Sequence, residues 1–148
     1  MLADHWRRQI EWAKTAHRFD QPRDDYQEYI SHLAPWSWSA TFTFRRRPGR
    51  AWALAAMQRY LQELETTAGC DIAWAFVEDY GGPDERYHFH LLIGGVDHLS
   101  TRSWELKAGR RFGNSEIKPY NRHDARYIAK KVVEENRDLH LGGALLSR

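Results

Sequence analysis

Two histidines separated by one residue, His88 and His90, are the side chains in this sequence best suited to share a metal ion. They lie in the run YHFHLLIGGV (residues 87–96), whose apolar and β-branched content predicts a strand. Residues two apart on a strand point to the same face, so the two imidazoles lie side by side. Neutral imidazoles are common ligands of divalent ions. The same spacing also occurs on surface hairpins, so the pair alone does not separate the two interpretations.

A carboxylate near the end of the preceding strand can complete a metal site. The run DIAWAFVED (residues 71–79) predicts a strand, and a Gly-Gly-Pro turn then leads into the histidine strand as an antiparallel hairpin. Glu78 and Asp79 face opposite sides, so only one should reach the histidines. We expect Glu78, with Asp79 as the competing ligand and a solvated strand-end carboxylate as the alternative. Two imidazoles and one carboxylate suit Mn²⁺ or Mg²⁺ phosphoryl chemistry.

A candidate nucleophile, Tyr127, follows on a helix that is predicted to begin at Asn121 and to run to about Asn136. The helical period puts Tyr127, Lys130 and Lys131 on one face. A phenol has an ordinary pKa near 10, so it needs nearby positive charge to act as a nucleophile. Lys130, one turn along, can lower that pKa or bind a phosphate oxygen. Taken alone, a Tyr-x-x-Lys sequence usually marks a helix surface.

The elements that must position these residues indicate an α+β fold in which helices pack on a mainly antiparallel sheet. Alternation in WSWSATFTFR predicts that Trp36 and Trp38 share one face of a strand, and Trp52 and Ala55 are expected on the core face of the next helix. A glycine pair at 142–143 indicates a loose tail. The predicted helices span residues 5–19, 25–33, 51–67, 99–107 and 121–136, and the predicted strands span 36–45, 71–79, 87–96 and 116–120.

Length and composition predict one compact domain. The chain has 148 residues, 42% of them hydrophobic and 28% charged, as in ordinary globular proteins. A single cysteine, Cys70, excludes an internal disulfide framework and favours a reducing compartment. No segment has the pattern of a signal peptide or the apolar length of a membrane span. We therefore expect a cytoplasmic protein with no membrane partner.

Charge is segregated along the chain although the formal net charge is only +2. Residues 102–131 contain nine lysines and arginines and three acidic residues, a balance of nine minus three, or +6. Such a surface suits a polyanion, because neutralised phosphates release counterions; a solvated surface is the alternative. The candidate DNA-binding residues are Arg45, Arg46, Arg47, Arg110, Arg111, Lys118 and Lys131.

Three motifs together resemble the HUH endonuclease superfamily, and within it the Rep-type rolling-circle replication initiators with one catalytic tyrosine. They are SATFTFR (39–45), FVEDYGGPDERYHFHLLI (76–93) and ARYIAKKVV (125–133), and the resemblance covers roughly residues 36–135. It implies a ferredoxin- or RRM-like HUH domain over residues 1–148, with a helical extension (1–35), a catalytic core (36–136) and a tail (137–148). The implied roles are metal ligand for His88, His90 and Glu78, nucleophile for Tyr127 and helper for Lys130.

The resemblance also implies an activity. Such an enzyme nicks and rejoins single-stranded DNA, at an origin or a hairpin, through a 5′-phosphotyrosine intermediate. The free 3′-OH would prime a host polymerase on a plasmid or phage, and a host helicase would unwind the duplex. Many Rep helices carry a second tyrosine where this chain has Lys131, which favours a one-tyrosine mechanism. Three alternatives stay open: a single-tyrosine HUH transposase, a hydrolase without a covalent step, and a non-catalytic RRM-like module that stacks bases on the aromatic strand.

Overall fold

A computed structural model describes residues 22–80 and 86–146 of the chain. The helix expected over 5–19 and the Gly-Gly-Pro turn lie outside the described residues. Within them, every other predicted helix and strand is confirmed, with bounds that shift by a few residues. No helix in the described part is long and apolar enough to cross a membrane. The elements are α1 (Pro22–Leu33), β1 (Trp36–Phe44), α2 (Arg50–Ala68), β2 (Ala73–Asp79), β3 (His88–Gly94), α3 (Thr101–Arg111), β4 (Gly113–Pro119), α4 (Arg122–Glu135) and β5 (Leu139–Gly142).

The strands form one sheet in the order β4-β1-β3-β2-β5, and every neighbouring pair is antiparallel. This confirms the α+β class with helices packed on an antiparallel sheet. The loose tail expected after residue 136 is wrong for residues 139–142, which form the edge strand β5 against β2. Four residues are too few to show an alternating pattern, and β5 is stabilised by pairing with β2.

One face of the sheet packs against α2 and α3. The core there includes Phe42, Tyr60 and Phe89, each with no exposed surface. The predicted core face of α2 was rotated by about one residue, because Trp52 and Ala55 are exposed. The residues of α2 that are buried instead are Ala53, Ala56, Met57, Tyr60, Leu61 and Leu64.

The other face packs against α1 and α4. Tyr26 and Ile30 of α1 belong to the same buried cluster as Ile128 of α4 and Val77 of β2. Helix α1, predicted as part of an N-terminal extension, therefore belongs to the core. Both faces of the central strands are thus covered by helices.

A bulge in β1 separates two tryptophans that were expected on one face. The register with β3 shifts between Trp36 and Trp38, and the Ser37 hydroxyl accepts hydrogen bonds from the backbone amides of Gly95 and Val96. Trp36 consequently joins the α1 side, where its indole donates to the carbonyl of Ile30 over 2.7 Å. The predicted common face of the two indoles was wrong because the extra residue of a bulge inverts the alternation.

Helix α4 has the predicted start. The Asn121 side chain accepts a hydrogen bond from the amide of His123, and the Asp124 carboxylate accepts one from the amide of Asn121, which together form a capping box. The helix ends at Asn136, which has a left-handed conformation with φ 56°. These caps fix the turn of the helix on which Tyr127 lies.

Candidate metal and tyrosine site

The register between β2 and β3 decides which carboxylate faces the histidines. Asp79 lies opposite His88, and Glu78 lies opposite Phe89. Directly opposed residues of an antiparallel pair share a face, so Asp79 lies with His88 and His90. Ligand atoms of these three residues all fall within 4.8 Å of one another. The prediction that Glu78 completes the metal site was wrong, and the competing ligand Asp79 takes that position.

The sequence could not settle this choice because both faces of β2 are buried. Val77 packs under α1 and α4, whereas Phe76 packs in the opposite core. Alternation between apolar and polar residues, which normally assigns the faces of a strand, is therefore absent. The face of Asp79 depends instead on the pairing register, and a shift of one residue inverts it.

The histidines have ring nitrogens directed at Asp79. Nδ1 of His88 donates to the backbone carbonyl of Arg86 over 2.7 Å, which leaves its Nε2 as the acceptor, 3.3 Å from Oδ2 of Asp79. Nε2 of His90 is buried and has no hydrogen-bond partner among the described residues. Burial, followed by the neighbouring His88, lowers the pKa of His90 to about 3. Two neutral imidazoles, one with an unsatisfied nitrogen, and one carboxylate fit a divalent metal ion.

Tyr127 reaches the same carboxylate from α4. Its hydroxyl donates to Oδ2 of Asp79 over 3.3 Å, and its ring centroid lies 4.2 Å from that of His90. The side chain remains 39% exposed, so the hydroxyl is accessible to a large substrate. Burial raises the pKa of Tyr127, and the nearby Lys131 opposes that shift. The predicted convergence of the tyrosine helix and the histidine hairpin is present.

The lysine in the site is Lys131. Its ammonium lies 2.9 Å from Oδ2 of Asp79 and 2.8 Å from Oε2 of Glu135, and 5.2 Å from the centre of the Tyr127 ring. Although burial favours the neutral amine, hydrogen bonds to Glu135 and Asp79 raise the pKa of Lys131. Lys130, expected as the helper, is exposed. With 3.6 residues per turn, residue 131 lies closer than residue 130 to the direction of Tyr127.

Glu78 has a different environment from either one predicted for it. Its carboxylate is 3% exposed and accepts hydrogen bonds from Arg50 at 2.9 Å, Tyr87 at 2.6 Å and Tyr80 at 2.9 Å, with His140 Nε2 at 3.3 Å. Burial alone would raise the pKa of Glu78, but these hydrogen bonds hold it well below the usual range. The network joins α2, both ends of the β2–β3 hairpin and β5. No signal in the sequence identified it.

The predicted DNA-binding cations separate into two groups. Arg45 and Arg110 line an open groove of about 620 Å³ together with Arg86, which sequence analysis missed. Arg46 and Arg47 are also exposed. The remaining three are engaged in ion pairs, Arg111 with Glu63 at 3.0 Å, Lys118 with Asp124 at 3.5 Å and Lys131 with Asp79 at 2.9 Å.

The aromatic strand is not available for base stacking. Trp38 and Phe44 are each 3% exposed and Phe42 is fully buried, so their rings form the core under α2 and α3. The RRM-like alternative required these rings on the surface. It therefore loses the feature on which it rested.

Comparison with known families supplies the classification. The sequence model of the ORF2-type family of replication-associated proteins matches residues 37–136. The chain belongs to this family. The matched range of this replication-associated protein begins at the bulge of β1, contains the histidine pair and Tyr127, and ends at the C-terminal cap of α4.

Comparisons with individual proteins add little. No curated protein matches the chain. Among solved structures, it is similar to the N-terminal nuclease domain of non-structural protein 1 from minute virus of mice, which coordinates Zn²⁺ in its active-site pocket. The identity is 14%, the match covers 81% of this chain and 70% of that one, and the TM-score is 0.35. We base no argument on a similarity at this level.

Proposed function

We propose that this replication-associated protein is an HUH-type endonuclease that nicks and rejoins single-stranded DNA through Tyr127. One observation carries the proposal. The Tyr127 hydroxyl donates to Asp79 over 3.3 Å, and Asp79 lies within 4.8 Å of both histidine nitrogens. A nucleophile and a group of metal-binding side chains therefore meet at one carboxylate oxygen, although they come from separate elements of the fold.

The metal would be held by Asp79, His88 and His90. We propose Mn²⁺ or Mg²⁺, since a set of two imidazoles and one carboxylate leaves positions for phosphate oxygens and water. When bound, such an ion polarises a scissile phosphate and neutralises the charge that develops on it. The Arg86 carbonyl fixes the His88 ring, and the walls around His90 keep that ring neutral.

Tyr127 would perform a transesterification. Its oxygen attacks the phosphorus in line, so that the tyrosine–phosphorus bond forms while the bond to the 3′ oxygen breaks. The phenol gives up its proton, and the departing 3′ oxygen takes one up to leave as a free 3′-OH. The phosphodiester count is unchanged, so a 3′-OH can reverse the step and rejoin the strand.

Lys131 would take the helper role that the Rep motif suggested for Lys130. Its ammonium lies 5.2 Å from the centre of the Tyr127 ring and is 13% exposed. A buried cation there stabilises a phenolate and opposes the effect of burial on the Tyr127 pKa. It also places positive charge beside the phosphate that Tyr127 attacks.

The biological role would be initiation of rolling-circle replication of a plasmid or phage in the cytoplasm. The free 3′-OH would prime a host polymerase, and a host helicase would separate the strands. Membership of a replication-associated family supports this role over transposition. The exposed arginines Arg45, Arg86 and Arg110 would hold the phosphates of the bound strand.

Covalent trapping tests the proposal. The protein is incubated with Mn²⁺ and labelled single-stranded DNA, drawn from candidate origins and from a random pool, and then separated under denaturing conditions. We expect an adduct with the wild type and with Tyr29→Phe, a control tyrosine that is 45% exposed, and none with Tyr127→Phe. The proposal fails if no strand gives an adduct, or if the adduct persists in Tyr127→Phe.

A further inference from the structure

A polar cavity opens beside the candidate nucleophile. It has a volume of about 260 Å³ and is lined by His90 and Tyr127 on one side. That volume lies just below the range of about 300–1,000 Å³ typical of sites for drug-sized ligands, so the cavity suits one small planar group. The polar side chains of its other walls are Glu116, Lys118, His123 and Asp124.

The sheet places Glu116 on the face of the metal ligands. Thr41 of β1 is the register partner of His90 on one side and of Glu116 on the other. These three residues form a row across the sheet, and strands lie about 4.8 Å apart, so Glu116 is about 10 Å from His90. A nucleotide with its phosphate at the histidines can extend its base to that distance.

Helix α4 connects the cavity to the nucleophile. His123 and Asp124 precede Tyr127 by four and three residues, which puts all three on one face of the helix. Asp124 is fixed by the capping box and lies 3.5 Å from the ammonium of Lys118. Lys118 is thereby held at the cavity wall with further hydrogen-bond donors available.

Glu116 has the carboxylate that is free to bind a ligand. Its side chain is exposed, and among residues 22–80 and 86–146 it has no hydrogen-bond or ion-pair partner. A carboxylate with two open oxygens accepts hydrogen bonds in pairs. Among the DNA bases, guanine presents two neighbouring N–H donors on its Watson–Crick edge and a carbonyl oxygen beside them. Cytosine, adenine and thymine each present N–H donors on only one atom of that edge.

We propose that this cavity binds a guanine next to the scissile phosphate, with Glu116 accepting from its two N–H donors and Lys118 donating to its carbonyl oxygen. The inference rests on the proposed function and deepens it, because it names a specificity-determining residue. Bases of single strands are commonly recognised on the Watson–Crick edge in this way. The partners are complementary in number and sign, and the cavity admits one base.

Two sequencing experiments test this inference. In the first, wild type, Glu116→Gln and the control Glu65→Gln cleave a randomised single-stranded pool, and the ends are sequenced. In the second, Tyr127→Phe with and without Glu116→Gln selects bound strands from the same pool, which requires no cleavage. We expect guanine to be enriched at one position within two nucleotides of the cut, and that enrichment to fall roughly tenfold in Glu116→Gln alone, as for loss of a bidentate contact.

The two experiments separate the failure of this inference from the failure of the proposed function. If no protein cleaves the pool, the nuclease proposal fails, and the strands bound by Tyr127→Phe still report on Glu116. A base profile that Glu116→Gln leaves unchanged overturns the inference. It is also overturned if the preference that Glu116→Gln removes is for a base other than guanine.

Discussion

Glu78 and Asp79 are adjacent residues whose carboxylates lie on opposite faces of strand β2. Asp79 faces the histidine pair and Tyr127, whereas Glu78 is buried on the other face against Arg50. The two carboxylates therefore have different parts in one site. Asp79 contributes a metal-binding oxygen, and Glu78 ties β2 to the elements around it, so that Asp79 is held on the histidine side.

This relationship predicts opposite effects of two neighbouring substitutions on metal binding. We expect Asp79→Asn to weaken Mn²⁺ binding by about a hundredfold or more, because it removes the anionic ligand, and Glu78→Gln to weaken it by less than about tenfold. Titration calorimetry with Mn²⁺ measures both. Weaker binding in Glu78→Gln than in Asp79→Asn would contradict the assignment of Asp79.

Glu78→Gln should instead change stability, in a manner that depends on pH. Loss of charge-assisted hydrogen bonds at a buried carboxylate lowers the free energy of unfolding by roughly 1.5–3 kcal/mol near neutral pH. The pKa of Glu78 is lower in the folded protein than in the unfolded chain, where it is about 4.3. Its contribution is therefore complete above the unfolded-state pKa and is lost as the pH falls through that value towards the folded-state pKa.

Denaturant unfolding of wild type and Glu78→Gln at a series of pH values measures this contribution. The difference in the free energy of unfolding should be largest near pH 7 and shrink below about pH 4. A difference that grew on acidification would contradict the pairing of an ionised Glu78 with Arg50.

Lys130 and Lys131 provide a matched pair for the helper role. We expect Lys131→Met to slow cleavage at saturating Mn²⁺ by about a hundredfold or more, as for removal of a group that stabilises transition-state charge. Lys130→Met should leave the rate within about tenfold of wild type, because Lys130 is exposed. Single-turnover cleavage of a labelled strand measures both rates. The reverse order would assign the role to Lys130.

Arg110 and Arg111 provide a second matched pair, for DNA binding. Arg110 is exposed in the arginine-lined groove, and Arg111 is paired with Glu63. Each phosphate contact on a single strand contributes about 0.7 to the slope of log affinity against log salt. We expect Arg110→Ala to reduce that slope by about this amount and Arg111→Ala to leave it unchanged, as measured by fluorescence anisotropy. Equal slopes for wild type and Arg110→Ala would remove Arg110 from the DNA-binding surface.

The sequence predicted the elements well where local signals are strong. Gly69 ends α2 with a left-handed backbone at φ 65°, and the capping box at Asn121 begins α4, so local chemistry sets both boundaries. Trp36 was placed on the wrong face because the bulge that inverts it depends on Ser37 meeting the turn after β3. Strand β5 was missed because its four residues form a strand only by pairing with β2.

The site was predicted in its chemical types but not in every residue. The pairing of histidines two apart follows from strand geometry alone, and Tyr127 follows from the helical period and the resemblance. The choice between Glu78 and Asp79 depends on a long-range register, and that between Lys130 and Lys131 depends on how α4 is rotated against the sheet. Neither quantity is present in a local pattern.

The most direct test of the account locates the covalent bond itself. The trapped adduct is digested with a protease and a nuclease, and the modified peptide is sequenced by mass spectrometry. We predict that the residual nucleotide is attached through its 5′ phosphate to Tyr127 and that the adduct forms only when a divalent metal is present. A nucleotide attached to any other residue, or through its 3′ phosphate, would contradict the account.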